Sequence, residues 1–314
     1  MTAGRLAGGT GYPVNIPGVA FSRAGDLLER RFDSWSCFVD YSASTPENLR
    51  DSGWGTGHKK FEKFSGTGDY ETARVLAVNG WSDGEKLARE WANRLYTDVS
   101  RKTEKPVPIQ DVEGEEFDIG AVLAGVPEPW TRWTTELVAL NGSVRPVVKI
   151  VLNGTASYAV GQQTIIRRGA AVLGLCELLE LSGRSVEIVL IFSTHDKKST
   201  LYDYISVKRA GQPLDVPRVA FALAHPASLR RIWFSALEHL EKPSDRDAFH
   251  VTGDKGTTID AEKKERGDIY IGRAYTGVDN NEGAPDWNDA EAVEKWIIET
   301  LSAQGVRLRD RAAA

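Results

Sequence analysis

The stretch from Val147 to Ser193 constrains the fold of this chain more than any other, because its hydrophobic period changes from strand to helix and back. Val144 to Leu152 is rich in β-branched residues and predicts a strand. The loop Asn153-Gly154-Thr155-Ala156-Ser157 follows. Gln162 to Leu181 then places Ile165, Ile166, Gly169, Ala170, Leu173, Cys176, Leu178 and Leu179 on one helical side. Gly183 is placed to end that helix, and the largely apolar run Val186 to Phe192 predicts a second, buried strand.

The pattern continues downstream. Leu201 to Lys208 alternates as an antiparallel or edge strand does, and the polar THDKKST before it suits a hairpin loop. A helix is expected between Val216 and Leu240, broken or restarted at Pro226. A long charged loop over residues 242–267, a strand from Asp268 to Tyr275 and a helix from Asn288 to Gln304 complete the series. The order β-α-β-β-α-β-α predicts a three-layer α/β domain with a mostly parallel sheet over residues 143–306, followed by a polar tail over 307–314.

The preceding half is less regular. Residues 1–30 read as a flexible, glycine- and proline-bearing lead without an apolar signal segment. Residues 31–142 read as a helical and irregular, Trp-rich region. Ser34 to Asp40 is a short strand or buried turn. A helix from Asp69 to Leu95 is interrupted at NGWSDGEK, with Asp69 or Thr67 as its cap and Trp81 and Trp91 as core anchors. Lys102 to Asp111 reads as a linker or edge segment and VPEPWTRW as a rigid turn. Glu113, Glu115, Glu116 and Asp118 lack the spacing of a calcium loop and read as a solvated acidic loop.

Composition excludes several classes. Of 314 residues 41% are hydrophobic and 26% charged, with a net charge of −5, which argues against a protein dedicated to wrapping nucleic acid. No run approaches the roughly 18 apolar residues that span a bilayer, so no membrane partner is expected. The two cysteines, Cys37 and Cys176, form no CxxC pair, favour buried structural thiols and suggest a reducing, cytoplasmic setting. The sequence has no phosphate-cradling glycine motif and no GxSxG elbow, and its five histidines show no metal-ligand spacing.

The loop after the first α/β strand carries the chemistry that remains. Asn153, Thr155 and Ser157 present polar oxygens at alternate positions, outside the carboxyl end of a strand, where open α/β sheets bind ligands. This spacing resembles the Asp-x-Ser-x-Ser metal loop of von Willebrand factor A domains, and the strand–loop–helix–strand–hairpin order around it is similar to that fold. The resemblance implies a divalent-cation site for Mg²⁺ built on Asn153, Thr155 and Ser157, with Thr276 and Asp279 as later ligands. Asn153 stands where that family has aspartate, so the charge most favourable to a hard cation is missing and the motif is degenerate. Without a metal, the three side chains are expected to hydrogen-bond the loop and cap the next helix.

A second resemblance covers most of the chain. GW-x-x-G (Gly80, Trp81, Gly84), IRRGAAVLGLCELLELSGRSVEIVL and PLDVPRVAFALAHPASLRRIWFSALE look like an uncharacterised family of bacteriophages and actinobacteria, which implies a phage or prophage setting.

Three functions follow as expectations. The first is a non-enzymatic, protein-binding adaptor or assembly module that uses the degenerate loop, with His195 and Asp279 beside it. The second is an RNA-associated module. The third is a hydrolase on the same sheet edge, with Ser157, His195 and Asp196 as its set, although adjacent His and Asp side chains diverge in an extended segment. The dibasic pairs Arg167-Arg168 and Arg230-Arg231 read as solvated or ion-paired helix faces rather than phosphate contacts.

Overall fold

The computed structural model describes residues 17–45, 47, 59–96, 102–139, 145–196, 199–238, 257–274 and 284–306. The chain opens with β1 (Val19–Ala24), β2 (Leu27–Phe32) and helix α1 (Trp35–Ala43). Helices α2 (Lys59–Ser65), α3 (Tyr70–Asn79) and α4 (Ser82–Tyr96) follow. A small antiparallel sheet comes next, from β3 (Lys102–Asp111), β4 (Glu116–Phe117), helix α5 (Ile119–Leu123) and β5 (Trp130–Ala139). The α/β series then runs through β6 (Val147–Asn153), α6 (Gln162–Leu181), β7 (Ser185–Asp196) and β8 (Ser199–Lys208). It ends with α7 (Val216–Ala224), a π-helix (Ser228–Trp233), α8 (Phe234–Glu238), a 3-10 turn (Lys263–Glu265), β9 (Ile269–Ile271) and α9 (Ala290–Ala303).

The main sheet has the strand order β1-β2-β8-β7-β6-β9. Pairs β2·β8, β7·β6 and β6·β9 are parallel, while β1·β2 and β8·β7 are antiparallel. The mixed α/β class, the mostly parallel sheet and the antiparallel placement of Leu201 to Lys208 therefore agree with the sequence pattern.

The first thirty residues depart from the expected flexible lead. Residues 19–24 and 27–30 are strand, and β1–β2 is a hairpin that extends the main sheet at the β8 edge. The turn is Gly25-Asp26, with Gly25 at φ 60°, a conformation that glycine adopts without a Cβ penalty. These strands escape an apolar-run search because LLERRF buries a charge: Arg30 lies between Leu28 and Phe32 on the core side. Ser34 to Asp40 belongs to a helix rather than a strand. The Ser34 hydroxyl accepts the Cys37 N–H, and Trp35, Phe38, Val39 and Ser42 bury one helical stripe. Trp130 and Trp133, expected in a turn, lie in β5. Lys102 to Asp111 is indeed an edge strand, as its two prolines require.

The layer arrangement also differs from expectation. Even-numbered residues of β6 and β7, such as Ile150, Leu152, Leu190 and Phe192, share one core with α1, α3, α4, α6, α7, α8, α9 and the π-helix. The opposite sheet face holds a smaller core of Val151, Ile191, Tyr202 and Tyr204, closed by Ile259 and Ala261 of the returning segment. Among the described residues this second face is covered by coil and a 3-10 turn. The strands explain why: on that face β6 and β7 carry Lys149 and Glu187, paired at 3.4 Å, and β2 carries Glu29 and Arg31. Helix-covered parallel sheets are apolar on both faces.

Close approach explains the glycines of the helical layer. The chain breaks between α3 and α4 at Gly80, which has φ 93° and would place a Cβ 2.5 Å from Pro217 Cβ. Asp69 caps α3 by accepting the Thr72 N–H at 2.7 Å. At Gly169, a Cβ would lie 2.3 Å from the Ala224 Cα, so α6 and α7 cross at a distance only glycine permits.

One buried ion pair ties these layers together. Arg30 and Asp203 are both wholly buried and bidentate, at 2.5 Å for each nitrogen–oxygen pair. Trp233 Nε1 donates to Asp203 at 2.7 Å, and Arg30 Nη1 donates to Tyr41 Oη and to the Ala236 carbonyl. Burial alone would lower the Arg30 pKa, but Asp203 and Tyr41 hold it above its ordinary value. Asp203→Asn should cost about 3–5 kcal/mol in urea unfolding, because it strands a buried guanidinium. Arg30→Met combined with Asp203→Leu should recover most of that loss.

His225 supplies a second test. It is buried, stacked on Phe221 and edge-on to Trp81, and its Nδ1 accepts the Ala227 N–H at 3.1 Å. Burial depresses its pKa from 6.5 to about 4. Between those values the unfolded chain binds more protons than the folded one, so stability present above pH 6.5 is lost as pH falls toward 4. The loss should approach about 3 kcal/mol. His225→Gln should flatten that part of the pH–stability curve.

Candidate functional site

The loop after β6 begins at the end of a buried strand, and Asn153 is wholly buried there. Its Nδ2 donates to the Ile259 carbonyl at 2.7 Å and to Ser193 Oγ at 3.3 Å. Its Oδ1 accepts the Thr155 N–H at 3.1 Å. Thr155 is also buried; its Oγ1 accepts the Ser193 N–H at 2.9 Å and lies 3.4 Å from Ser193 Oγ. Ser193 Oγ in turn donates to the Ile259 carbonyl at 2.6 Å. Asn153, Thr155, Ser193 and Ile259 thus form a closed set of hydrogen bonds at the carboxyl edge of the sheet.

This geometry tests the donor set for a cation. Mg²⁺ requires outward-facing oxygens, preferably carboxylate, with room for several waters. Here the Asn153 oxygen is taken by a backbone amide and its NH₂ faces a carbonyl, while the Thr155 hydroxyl is engaged with β7. The arrangement does not fit a divalent ion. Among the described residues no group of three or more His, Cys, Asp or Glu side chains is placed to hold a metal. Thr276 and Asp279 lie outside the described residues.

Ser157 stands apart from its two neighbours. It is half-buried, its N–H donates to the Ala274 carbonyl at 2.9 Å, and its carbonyl accepts the Val160 N–H. With the Ala156–Ala274 bridge, it continues the parallel β6·β9 pairing beyond the strands. The expected helix cap is not formed by this loop: α6 has Gly161 at its N-cap and no side-chain cap.

His195 is half-buried near the end of β7. Its Nδ1 lies 3.0 Å from Thr200 Oγ1, and its backbone pairs with Thr257. Among the described residues Ser157 and His195 share no hydrogen bond, so the nucleophile–base contact of a hydrolase is not formed.

Several site residues carried little sequence signal. Ser193 is a single hydroxyl ending an apolar strand run, which is a readable mark. Asp260 gave none: it sits in a charged loop, yet it accepts the Tyr270 hydroxyl and the Arg273 N–H, each at 3.0 Å. Burial pushes the Tyr270 hydroxyl up to about 12, and it accepts the Ala261 N–H at 2.9 Å. These contacts hold residues 257–261 across the sheet edge.

The arginine pairs are corrected most clearly. Arg168, Arg230 and Arg231 are all buried rather than solvated or ion-paired on a helix face. Arg168 Nη2 donates to the carbonyls of Asn153 and Gly272, tying the ends of β6 and β9. Arg231 donates to the Thr67 and Gly68 carbonyls, and Arg230 to those of Phe64 and Val160. Their partners are main-chain oxygens brought together by the fold, which no charge pattern announces. Arg167 alone of the four is exposed.

The cysteines lie apart from this region and are both free thiols. Cys176 is wholly buried in α6, and burial pushes its thiol pKa far up, which makes it inert. No helix of the described residues is long and apolar enough to cross a membrane.

The closed network predicts that Ser193→Ala and Asn153→Asp each lower unfolding free energy. The cost is about 1–3 kcal/mol, and the aspartate should be the worse, because it faces the Ile259 carbonyl with a carboxylate. Urea titration with and without millimolar Mg²⁺ reads both effects. A Mg²⁺-dependent rescue of Asn153→Asp would show that the loop retains a metal-site geometry.

No curated protein and no solved structure matches the chain. A family model described as a domain of unknown function, DUF7192, matches residues 15–306, and the chain belongs to that family. The match includes the β1–β2 hairpin and runs without division to the end of α9.

Proposed function

We propose that this protein is a non-catalytic binding module that docks a protein partner through residues 112–133. The observation that carries this reading is exposed apolar surface. Among the described residues, six of the ten exposed large apolar side chains lie in that stretch: Val112, Phe117, Ile119, Val122, Leu123 and Trp133. Leu123 is 84% exposed and Ile119 66%. Exposed apolar side chains are ordinary when scattered, and informative when gathered in one place.

Local structure holds them in place. Asp118 caps α5 by accepting the Ala121 N–H at 3.0 Å, and Gly125 follows the helix at φ 75°. Ile119, Val122 and Leu123 therefore recur at three- and four-residue spacing on one side of a short helix. Phe117 packs on Trp130 at 4.8 Å, and Glu115 Oε2 accepts the Trp133 N–H at 3.1 Å. Covering any one of the larger side chains would contribute about 1.5–3 kcal/mol, so two or three suffice for a specific contact.

The sheet edge supports the same reading by its chemistry. Polar groups that a catalyst would present to substrate are instead spent on holding residues 257–261. The von Willebrand A-like reading of residues 143–306 is supported by the order β8-β7-β6-β9 with β8 antiparallel. The β1–β2 hairpin, added beyond β8, is this chain's own extension of that pattern. A reducing compartment is supported by the two unpaired cysteines.

Leu123→Asp combined with Ile119→Asp should leave the melting temperature of the main fold unchanged. The same variant should abolish, by more than about tenfold, capture of the partners that the unaltered protein retains from its host cells. Quantitative affinity capture of both forms provides the comparison. An identical set of retained proteins would overturn the reading.

A further inference from the structure

The apolar side chains over residues 112–133 are interleaved with carboxylates. From Asp111 to Arg132 the chain carries Asp111, Glu113, Glu115, Glu116, Asp118 and Glu128 against a single cation, Arg132. Asp111 takes that cation, at 2.8 Å. The other five carboxylate residues are exposed, and among the described residues none of them forms an ion pair. Glu113 and Asp118 cannot lie farther apart than about 18 Å along the chain, which is about two Debye lengths, so their fields overlap.

Two of these groups are fixed beside the apolar side chains. Glu115 Oε2 accepts the N–H of exposed Trp133 at 3.1 Å. Asp118 Oδ1 accepts the Ala121 N–H at 3.0 Å, at the start of the helix that presents Ile119, Val122 and Leu123. Glu116 directly precedes Phe117 in β4. Charge and apolar surface therefore belong to one short hairpin, and any molecule that covers the second must meet the first.

That requirement selects the occupant. A second copy of the chain in a two-fold contact would set like charges against each other. A bilayer carries anionic lipid, and surfaces that lie on it combine apolar side chains with lysine and arginine, not carboxylates. Nucleic acid is repelled for the same reason. A protein segment that joins apolar anchors to cations satisfies both features.

We infer that residues 112–133 recognise a basic amphipathic segment of a partner protein. Its apolar side chains cover Ile119, Val122 and Leu123, and its lysines or arginines face Glu113, Glu116 and Glu128. The inference rests on the docking reading and adds to it the chemistry of the partner. Charge at the rim sets selectivity and the rate of encounter, while the apolar contact sets how long the partner stays.

Fluorescence anisotropy on the full chain tests this with a labelled peptide of leucine and lysine, its leucines at three- and four-residue spacing. A copy with glutamate for every lysine and vesicles of phosphatidylcholine and phosphatidylserine are the comparisons. The lysine peptide should bind saturably, with a Kd on the order of 100 μM or tighter at about 50 mM salt, and weaken about tenfold at roughly 500 mM. The glutamate peptide and the vesicles should not bind. Glu113→Gln, Glu116→Gln and Glu128→Gln together should lower affinity about fivefold or more, remove most of the salt dependence and leave the melting temperature unchanged. Ile119→Asp with Leu123→Asp should lose the peptide although it adds two carboxylates.

The inference is overturned if that aspartate variant binds the peptide more tightly, which would mark attraction by charge alone. It is also overturned if the glutamate peptide or the vesicles bind as well as the lysine peptide, or if the glutamine variant keeps the affinity and its salt dependence. Capture from host cells separates it from the docking reading. Partners lost by the aspartate variant but kept by the glutamine variant leave the docking surface standing and remove the basic segment. Partners kept by both remove the docking surface itself.

Discussion

The fold depends on one buried ion pair. Arg30 on β2 and Asp203 on β8 neutralise each other between two parallel strands whose sequence positions are 173 residues apart. Removed from water, neither charge is tolerable alone, so the pair couples the N-terminal hairpin to the α/β series. Trp233 completes the acceptor set of Asp203, and the Ala236 carbonyl accepts from Arg30. The π-helix and α8 are thereby drawn onto the same spot. The first strands of the chain thereby finish a sheet whose other strands lie between residues 147 and 271.

The same economy of buried charge recurs with main-chain oxygens. Arg168 closes the ends of β6 and β9, Arg231 holds the turn after α2, and Arg230 joins that turn to the loop before α6. Each guanidinium satisfies carbonyls that would otherwise be stranded at the end of a strand or helix. These residues lie on helices whose apolar faces were legible, but their partners come from distant loops. Arginine also packs its planar group on Phe61 and Phe64, which makes burial of the rest of the side chain favourable.

Much of the architecture was legible and the candidate site was not. The strand–loop–helix–strand from Val147, the break at Gly80 and the antiparallel Leu201–Lys208 follow from period, cap and turn chemistry, all of which act over a few residues. The β1–β2 strands are hidden in the sequence because Glu29, Arg30 and Arg31 interrupt their apolar pattern. The single-sided helical layer is hidden because Lys149 and Glu187 are single charges within otherwise apolar strands. At the sheet edge the sequence identified Asn153 and Thr155 as special, but their role turned on Ser193 and on the carbonyl of Ile259, which lies 106 residues away.

By itself, then, the sequence determined the α/β class, the order of its elements and the loop where polar groups gather, since those rest on local period and residue chemistry. Tertiary structure decided what that loop does. An asparagine at a strand end serves equally as a ligand or as a strut, and only the returning segment over residues 257–261 selects between them. The segment satisfies Asn153 and Ser193 internally and closes the second face of the sheet. That choice rests on long-range hydrogen bonds, whose energy depends on which groups the whole fold removes from water.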